Sequence, residues 1–333
     1  MKKALITGIS GQDGSYLAEL LLSKGYEVHG IVRRQSLEAP SQNLSNLECC
    51  RERVNLHVAS LDNHLSLYKV IQEVQPDELY HLAASSFVSY NFDDESSILT
   101  SNFNGTHYLL SSIKEVVPNC RFCFAGTSEM FGRVAVTPQN ELTPFNPRSI
   151  YGVSKLASYH LVANYREQYG IFACTAILYN HESPRRDFKF VTRKITAAAA
   201  KIKLGLENRL YLGNLDAVRD WGYAPDYVHG MWLMLQHHTP DDYVIASGVT
   251  HAVRKFVDCA FKSLGLDYNH YVEVDPRFYR AAEKVPLCGD SSKIRTILGW
   301  ASHKPLEEII QEMIAHDLKL FSPDAGPPSY RPG

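Results

Sequence analysis

No stretch of this 333-residue chain runs apolar for the roughly 18 residues that a membrane-spanning helix needs. The opening MKKALITGIS has the basic start of a secretory leader, but GQDG interrupts it after a few residues and no small-residue cleavage pattern follows. Charge of one sign is also lacking. Lys plus Arg number 34 against 36 Asp plus Glu, so no basic field marks a nucleic-acid or anionic-membrane partner. The seven cysteines are odd in number and scattered, which excludes a disulfide framework. Cys120 and Cys123 form one C-x-x-C, but no second pair completes a zinc site, and Cys123 lies within the apolar run RFCFA. Cys49 and Cys50 stand together in a polar stretch. No repeat or low-complexity tract occurs. These absences leave a cytoplasmic, enzyme-sized protein without a structural metal as the expectation.

What the chain does contain is a rhythm of short apolar runs and helical periods. KALIT, EVHGIV, VNLHVA, ELYHLA, RFCFA and FACTAILY read as strands. Helices are expected near Ser15 to Lys24, Leu65 to Val74, Ser97 to Val116 and Ser149 to Tyr169. Strands alternating with helices imply an α/β fold of the Rossmann type, a doubly wound parallel sheet. Beyond Asn180 the rhythm loosens into polar loops, a helix near Tyr227 to Gln236 and the strand YVIA. We therefore expect a dinucleotide domain over 1–180, with returning segments around 215–246. A smaller, discontinuous C-terminal substrate lobe is expected from 181–214 and 247–333.

GISGQDG directly follows KALIT and places Gly8, Gly11 and Gly14 as G-x-x-G-x-x-G. Between a first strand and a first helix, such glycines let the backbone turn sharply and approach a pyrophosphate at the helix N-terminus. The second strand ends in Val32-Arg33-Arg34, with no acid there to take ribose hydroxyls. Paired guanidinium groups suit a 2′-phosphate, so the expected cofactor is NADP.

Tyr151 and Lys155, four apart in SIYGVSKLASYHLV, share a helix face. An ammonium beside a phenol lowers the phenol's pKa, and a nearby hydroxyl such as Thr127 can share the proton of a substrate alcohol. Thr127, Ser128 and Glu129 follow RFCFA at a strand end, where three polar residues need either a cleft or a chemical use.

Together these residues resemble the extended short-chain dehydrogenase/reductases that act on nucleotide sugars. ITGISGQDGSYLAELLLSKGYEVHGIVRR, EVQPDELYHLAA, YGVSKLASYHLVANYREQYG, NHESPRRDFKFVTRKI, LYLGNLDAVRDWGYAPDYV and VDPRFYR carry the resemblance further, to the GDP-mannose 4,6-dehydratases. It spans nearly the whole chain. The resemblance implies NADP held by Gly8, Gly11, Gln12, Asp13, Gly14, Arg33, Arg34, Ser60, Leu61, Leu82, Ala83, Ala84, Tyr151 and Lys155. It implies a GDP-sugar held by Ser86, Asn180, Val191, Lys194, Arg219, Arg280 and Glu283. The catalytic set becomes Thr127, Glu129, Tyr151 and Lys155, with Thr127 serving the 4-hydroxyl and Glu129 moving the carbon-5 proton. Arg185, Arg186 and the Arg33-Arg34 loop look like the segment that reaches a neighbouring subunit, so a homodimer or homotetramer is expected.

The chain departs from the family pattern at three places. Ala59-Ser60-Leu61 stands where G-D-L is usual, so Ser60 meets adenine without a charge. Ser85-Ser86-Phe87-Val88 replaces Q-S-H-V beside the sugar, and Asn91 replaces a small serine. Another GDP-hexose or heptose as substrate therefore remains open. So does a GDP-4-keto-sugar reductase or epimerase, which shares the loop and the Tyr/Lys pair; Glu129 argues for dehydration. A non-catalytic NADP-binding sensor is the reading from another class, and the intact catalytic set speaks against it.

Overall fold

The computed structural model describes residues 1–85, 92–278 and 285–322. Seven strands form the central sheet: β1 (Lys3–Thr7), β2 (Glu27–Val32), β3 (Val54–Val58), β4 (Glu78–His81), β5 (Arg121–Thr127), β6 (Ala173–Leu178) and β7 (Tyr243–Ile245). They lie in the order β7-β6-β5-β4-β1-β2-β3, and every pairing is parallel. The expected doubly wound sheet is therefore present.

Strand periodicity explains how one sheet serves two cores. Ala4 and Ile6 of β1 face one apolar cluster together with Cys123 and Ala125 of β5. Leu5, Phe122 and Phe124, the alternate residues, face the other. On the first face pack α1 (Gln12–Ser23) through Leu17, Ala18 and Leu21, and a later helix through Met231, Met234 and Leu235. On the second pack α2 (His64–Val74), α3 (Gly105–Val116) and α4 (Ile150–Tyr169), with Ile71, Leu109, Ile113 and Val162 at the contacts. Because all strands are parallel, their carboxyl ends share one edge, where ligands of open α/β sheets bind.

A separate apolar cluster joins α5 (Val191–Lys203) to two further helices. Another helix, α6 (Ala224–Gln236), returns to the main sheet, followed by α7 (Val253–Lys262) and α8 (Leu306–Phe321). Ile195, Ala199, Trp221, Phe256, Phe261, Ile309 and Met313 form that separate core. Beside it a three-stranded sheet runs Thr250–Ala252, Val218–Tyr223, Asn180–Glu182.

Two expected helices differ in the structure. The one read as Ser97 to Val116 is broken: Phe92–Leu99 leads into a π-helical turn at Thr100–Asn104 before α3 begins. At that junction Gly105 sits so close to Leu61 that a Cβ would lie 2.9 Å from the leucine Cβ. The first helix starts at Gln12, not Ser15, because the backbone amide of Ser15 already bonds the Gly11 carbonyl at 3.1 Å. Cys120 and Cys123 are buried free thiols, and burial pushes both of their pKa values up.

Candidate active site

The glycine turn is built by close approach. Gly8 has φ +72°, and a Cβ on it would lie 2.9 Å from the Ala83 nitrogen. A Cβ on Gly14 would overlap the Gly8 carbonyl. The turn is closed by Gly11 N–H donating to Gly8 O at 3.0 Å. Gly11 is the N-cap of α1 and offers no side-chain cap, so the first amides of the helix remain available to an anion. Asn46 supports the turn from outside, donating to Ser10 O at 3.0 Å. Arg33 and Arg34 are exposed at the end of β2. A close-packed glycine turn after β1, with two exposed arginines at the end of the neighbouring strand β2, fits a phosphorylated dinucleotide.

Gln12 and Asp13 sit differently from a pair that only lines phosphates. Gln12 is buried; its amide donates to His181 O at 3.1 Å and its carbonyl accepts Ser183 Oγ at 2.8 Å. Asp13 Oδ2 meets His181 Nε2 at 2.9 Å, while His181 Nδ1 contacts Tyr179 O at 2.7 Å. Burial works against both charges. The mutual attraction outweighs it, lowering the Asp13 pKa and raising that of His181. His181 and Ser183 were missed in the sequence, where nothing marked them as partners of residues some 170 positions earlier.

Ser60 sits at the carboxyl end of β3, its amide donating to Ser66 Oγ at 3.3 Å, and Leu61 packs on Gly105. Leu82 and Ala83 leave β4 with both amides held by Thr7 Oγ1 at 3.1 Å, and Ala84 follows them. The sheet thus brings Gly8, Arg33, Arg34, Ser60, Leu61 and Leu82 to Ala84 to the carboxyl ends of β1 to β4.

The catalytic candidates meet where β5 ends. Thr127 Oγ1 accepts the Glu129 amide at 3.3 Å, bending Ser128–Met130 into a 3-10 turn. Ser149 caps α4 by accepting the Gly152 amide at 3.0 Å. The first turn of α4 packs on the Glu129 turn so tightly that a Cβ on Gly152 would lie 2.7 Å from Glu129 O. Tyr151, the preceding residue, is thereby set beside Thr127 and Glu129. Burial raises the Tyr151 phenol well above its ordinary value and Glu129 adds to this, while a hydrogen bond from Thr127 and the charge of Arg186 pull it down.

Lys155 departs from the sequence expectation. Its ammonium lies 6.0 Å from the Tyr151 ring centre and donates to Ala125 O at 2.8 Å. Burial lowers its pKa to about 7.

Asn180 opens the strand Asn180–Glu182 and pairs in register with Trp221, two residues from Arg219. Val191 and Lys194 occupy the first turn of α5. Lys194 donates to Tyr211 O at 2.9 Å and lines a cavity of about 330 Å³ with Phe188, Arg209 and Phe278. Among the described residues lining that cavity there is none of the four catalytic candidates. Ser86, Arg280 and Glu283 lie outside the described residues, as do Phe87 and Asn91. Arg185 is engaged within its own chain. It donates to Ser15 Oγ at 3.1 Å and to Glu19 at 2.5 Å, and stacks on Tyr16.

A parallel sheet with a glycine turn after β1, and a Tyr/Lys helix packed on a Thr-Ser-Glu turn, define a dinucleotide-dependent enzyme of the short-chain dehydrogenase/reductase class. The family model described as GDP-mannose 4,6 dehydratase matches residues 5–313. GDP-mannose 4,6 dehydratase 2 of Arabidopsis thaliana is 47% identical, over 96% of this chain and 87% of its own length. The GDP-mannose 4,6-dehydratase of Vibrio cholerae is 44% identical, over 96% and 94%. The chain belongs to the GDP-mannose 4,6-dehydratase family. Among solved structures, RMD from Pseudomonas aeruginosa complexed with NADPH aligns with a TM-score of 0.81 at 23% identity, covering 96% of this chain and 99% of that one. The UDP-glucose 4-epimerase of Thermotoga maritima aligns at 0.83 with 22% identity, over 94% and 98%; these likenesses concern the fold. No helix of the described residues is long and apolar enough to cross a membrane.

Proposed function

We propose that this chain converts GDP-mannose to GDP-4-keto-6-deoxymannose, using NADP that is regenerated in each turnover. The observation that carries the reading is the placement of Glu129. Its turn is packed against the start of α4, beside Thr127 and Tyr151. An alcohol oxidation needs only the hydroxyl and phenol, whereas a carboxylate at the same spot supplies the acid/base that dehydration requires.

When bound, NADP supplies the acceptance and return of hydride, so the overall reaction is redox-neutral. Tyr151 takes the proton of the sugar 4-hydroxyl, with Thr127 hydrogen-bonded to both partners. Once carbon 4 is a ketone, the carbon-5 proton is acidic and Glu129 removes it. Glu129 then returns the proton to the hydroxyl that leaves carbon 6 as water, and the proton held by Tyr151 passes to carbon 5, which restores both residues for the next turnover. Gly8, Gly11 and Gly14 seat the pyrophosphate, Arg33 and Arg34 take the 2′-phosphate, and Ser60, Leu61 and Leu82 to Ala84 flank the adenine and nicotinamide halves. Asn180, Val191, Lys194 and Arg219 hold the GDP-sugar. Ser86, Arg280 and Glu283 are assigned to the same task by family resemblance.

The clusters on the two faces of the main sheet, set against the separate one around α5, α7 and α8, support a division into a dinucleotide domain and a substrate lobe. A cytoplasmic homodimer or homotetramer completes the reading. Incubation of the purified chain with GDP-mannose and mass analysis tests it: a product lighter by one water is expected, and unchanged GDP-mannose contradicts it.

A further inference from the structure

A line of buried polar side chains runs beneath the site. Thr7 is fully buried at the tip of β1, directly before Gly8. Its Oγ1 accepts two amides, Leu82 N–H and Ala83 N–H, each at 3.1 Å. With its lone pairs so used, its own proton points to the remaining neighbour, His81 Nδ1, at 2.8 Å. Nδ1 is therefore an acceptor, and the ring proton resides on Nε2. That nitrogen faces Thr106 Oγ1 at 3.2 Å, and the Thr106 hydroxyl in turn donates to Asn102 O at 2.7 Å. Every donor has an acceptor in one direction only, so the chain fixes a single tautomer of His81.

Asn102 carries the line into the catalytic helix. It occupies the π-helical turn, a geometry that often accompanies functional positions. Its side-chain amide donates to Ser154 Oγ on α4 at 3.0 Å, and its backbone carbonyl lies 3.3 Å from Ser158 Oγ, whose shorter bond goes to Ser154 O at 2.9 Å. Its Oδ1 accepts the Ser85 amide at 3.0 Å. Ser154 Oγ bonds Tyr151 O at 2.8 Å and precedes Lys155 in the chain. Thr7, His81, Asn102, Thr106, Ser154 and Ser158 are all at most 2% exposed.

The surroundings admit only the neutral ring. Phe122 and Phe124 lie 6.2 and 5.8 Å from its centre. Burial first, and the Lys155 charge second, hold its pKa well below the ordinary value. A second ring proton would oppose the Thr7 hydroxyl and break the sequence of bonds.

We propose that Thr7, His81, Thr106 and Asn102 form a positioning chain for the reaction. It locks α4, with Tyr151 and Lys155, to the strand tips that seat the dinucleotide. The proposal rests on the dehydratase reading for its kinetic arm. None of these residues touches a reacting atom; they act through the register between helix and sheet. Misplacement of the phenol by a fraction of an ångström then lowers the chemical step and spares substrate affinity, because Asn180, Lys194 and Arg219 stand on other elements.

The test compares Thr106→Val, which keeps shape and removes the hydroxyl, with Thr106→Ser, which keeps the hydroxyl. Thr106→Val is expected to lower kcat on GDP-mannose about 10- to 100-fold, with KM within about threefold. Thr106→Ser is expected to recover most of the loss. In the protein without ligands, hydrogen exchange should show the Leu82 and Ala83 amides less protected in Thr106→Val. Wild-type kcat in Thr106→Val, a serine variant as slow as the valine one, or unchanged exchange at Leu82 and Ala83 overturns the proposal. If Thr106→Val does not fold, Ser154→Ala carries the test, since it removes the Asn102 acceptor on α4; an unaltered kcat there is equally fatal. A wild-type chain inactive on GDP-mannose would defeat the dehydratase reading, while the exchange measurement would still decide this one.

Discussion

Lys155 Nζ donates to the carbonyl of Ala125, two residues before Thr127, and stands 6.0 Å from the ring centre of Tyr151. The lysine is thus tied to the strand that carries Thr127, and among the described residues no carboxylate pairs with its buried ammonium. Its pKa falls from the ordinary 10.5 to about 7 through burial. Below about pH 7 the folded and unfolded chains both carry the proton, and the folded state bears the full cost of the buried charge. Between about 7 and 10.5 only the unfolded state holds it, so this group makes stability rise with pH by roughly 1.4 kcal/mol per unit. Lys155→Met should remove that slope. Urea unfolding of both proteins at pH 6 to 10 should show the variant gaining most at pH 6, with the gain shrinking as pH rises. A gain independent of pH would contradict the assignment.

Arg33 and Arg34 make a prediction about cofactor choice. Charge-assisted hydrogen bonds to a phosphate contribute about 1.5–3 kcal/mol each. Replacing both residues with alanine should weaken NADPH binding at least about tenfold and leave NADH within about threefold, as read by fluorescence titration. Equal losses for the two dinucleotides would show that these arginines do not read the 2′-phosphate.

Arg193 and Asp317 form a fully buried ion pair between α5 and α8, with the guanidinium also stacked near Phe188. Asp317→Leu strands the guanidinium and should cost roughly 3–5 kcal/mol in denaturant unfolding. Arg193→Met combined with Asp317→Leu should recover most of that loss, because two uncharged side chains carry no desolvation penalty. A double variant as unstable as the single one would mean that the pair acts through packing.

Much of the candidate site's layout was legible from short patterns. The glycine spacing after KALIT, the four-residue interval from Tyr151 to Lys155 and the polar Thr127-Ser128-Glu129 are local signals, and the parallel sheet carries all of them to one edge. What stayed hidden depends on distant pairings. Asp13 with His181, and Thr7 with His81 and Thr106, join residues dozens to well over a hundred positions apart. No local periodicity encodes which buried polar group answers which. Lys155 illustrates a further limit: the helix places it on the face of Tyr151, but the carbonyl it meets belongs to β5. The break before Gly105 was equally silent, because the close approach to Leu61 arises only when the helix is packed.

The account depends most on Glu129, and the decisive measurement is the water balance of Glu129→Gln with GDP-mannose. The isosteric amide should still bind NADPH and GDP-mannose within about threefold of the parent, while product lighter by one water falls below about one percent of the parental rate. Dehydration by Glu129→Gln at the parental rate would remove this carboxylate from the reaction and contradict the account.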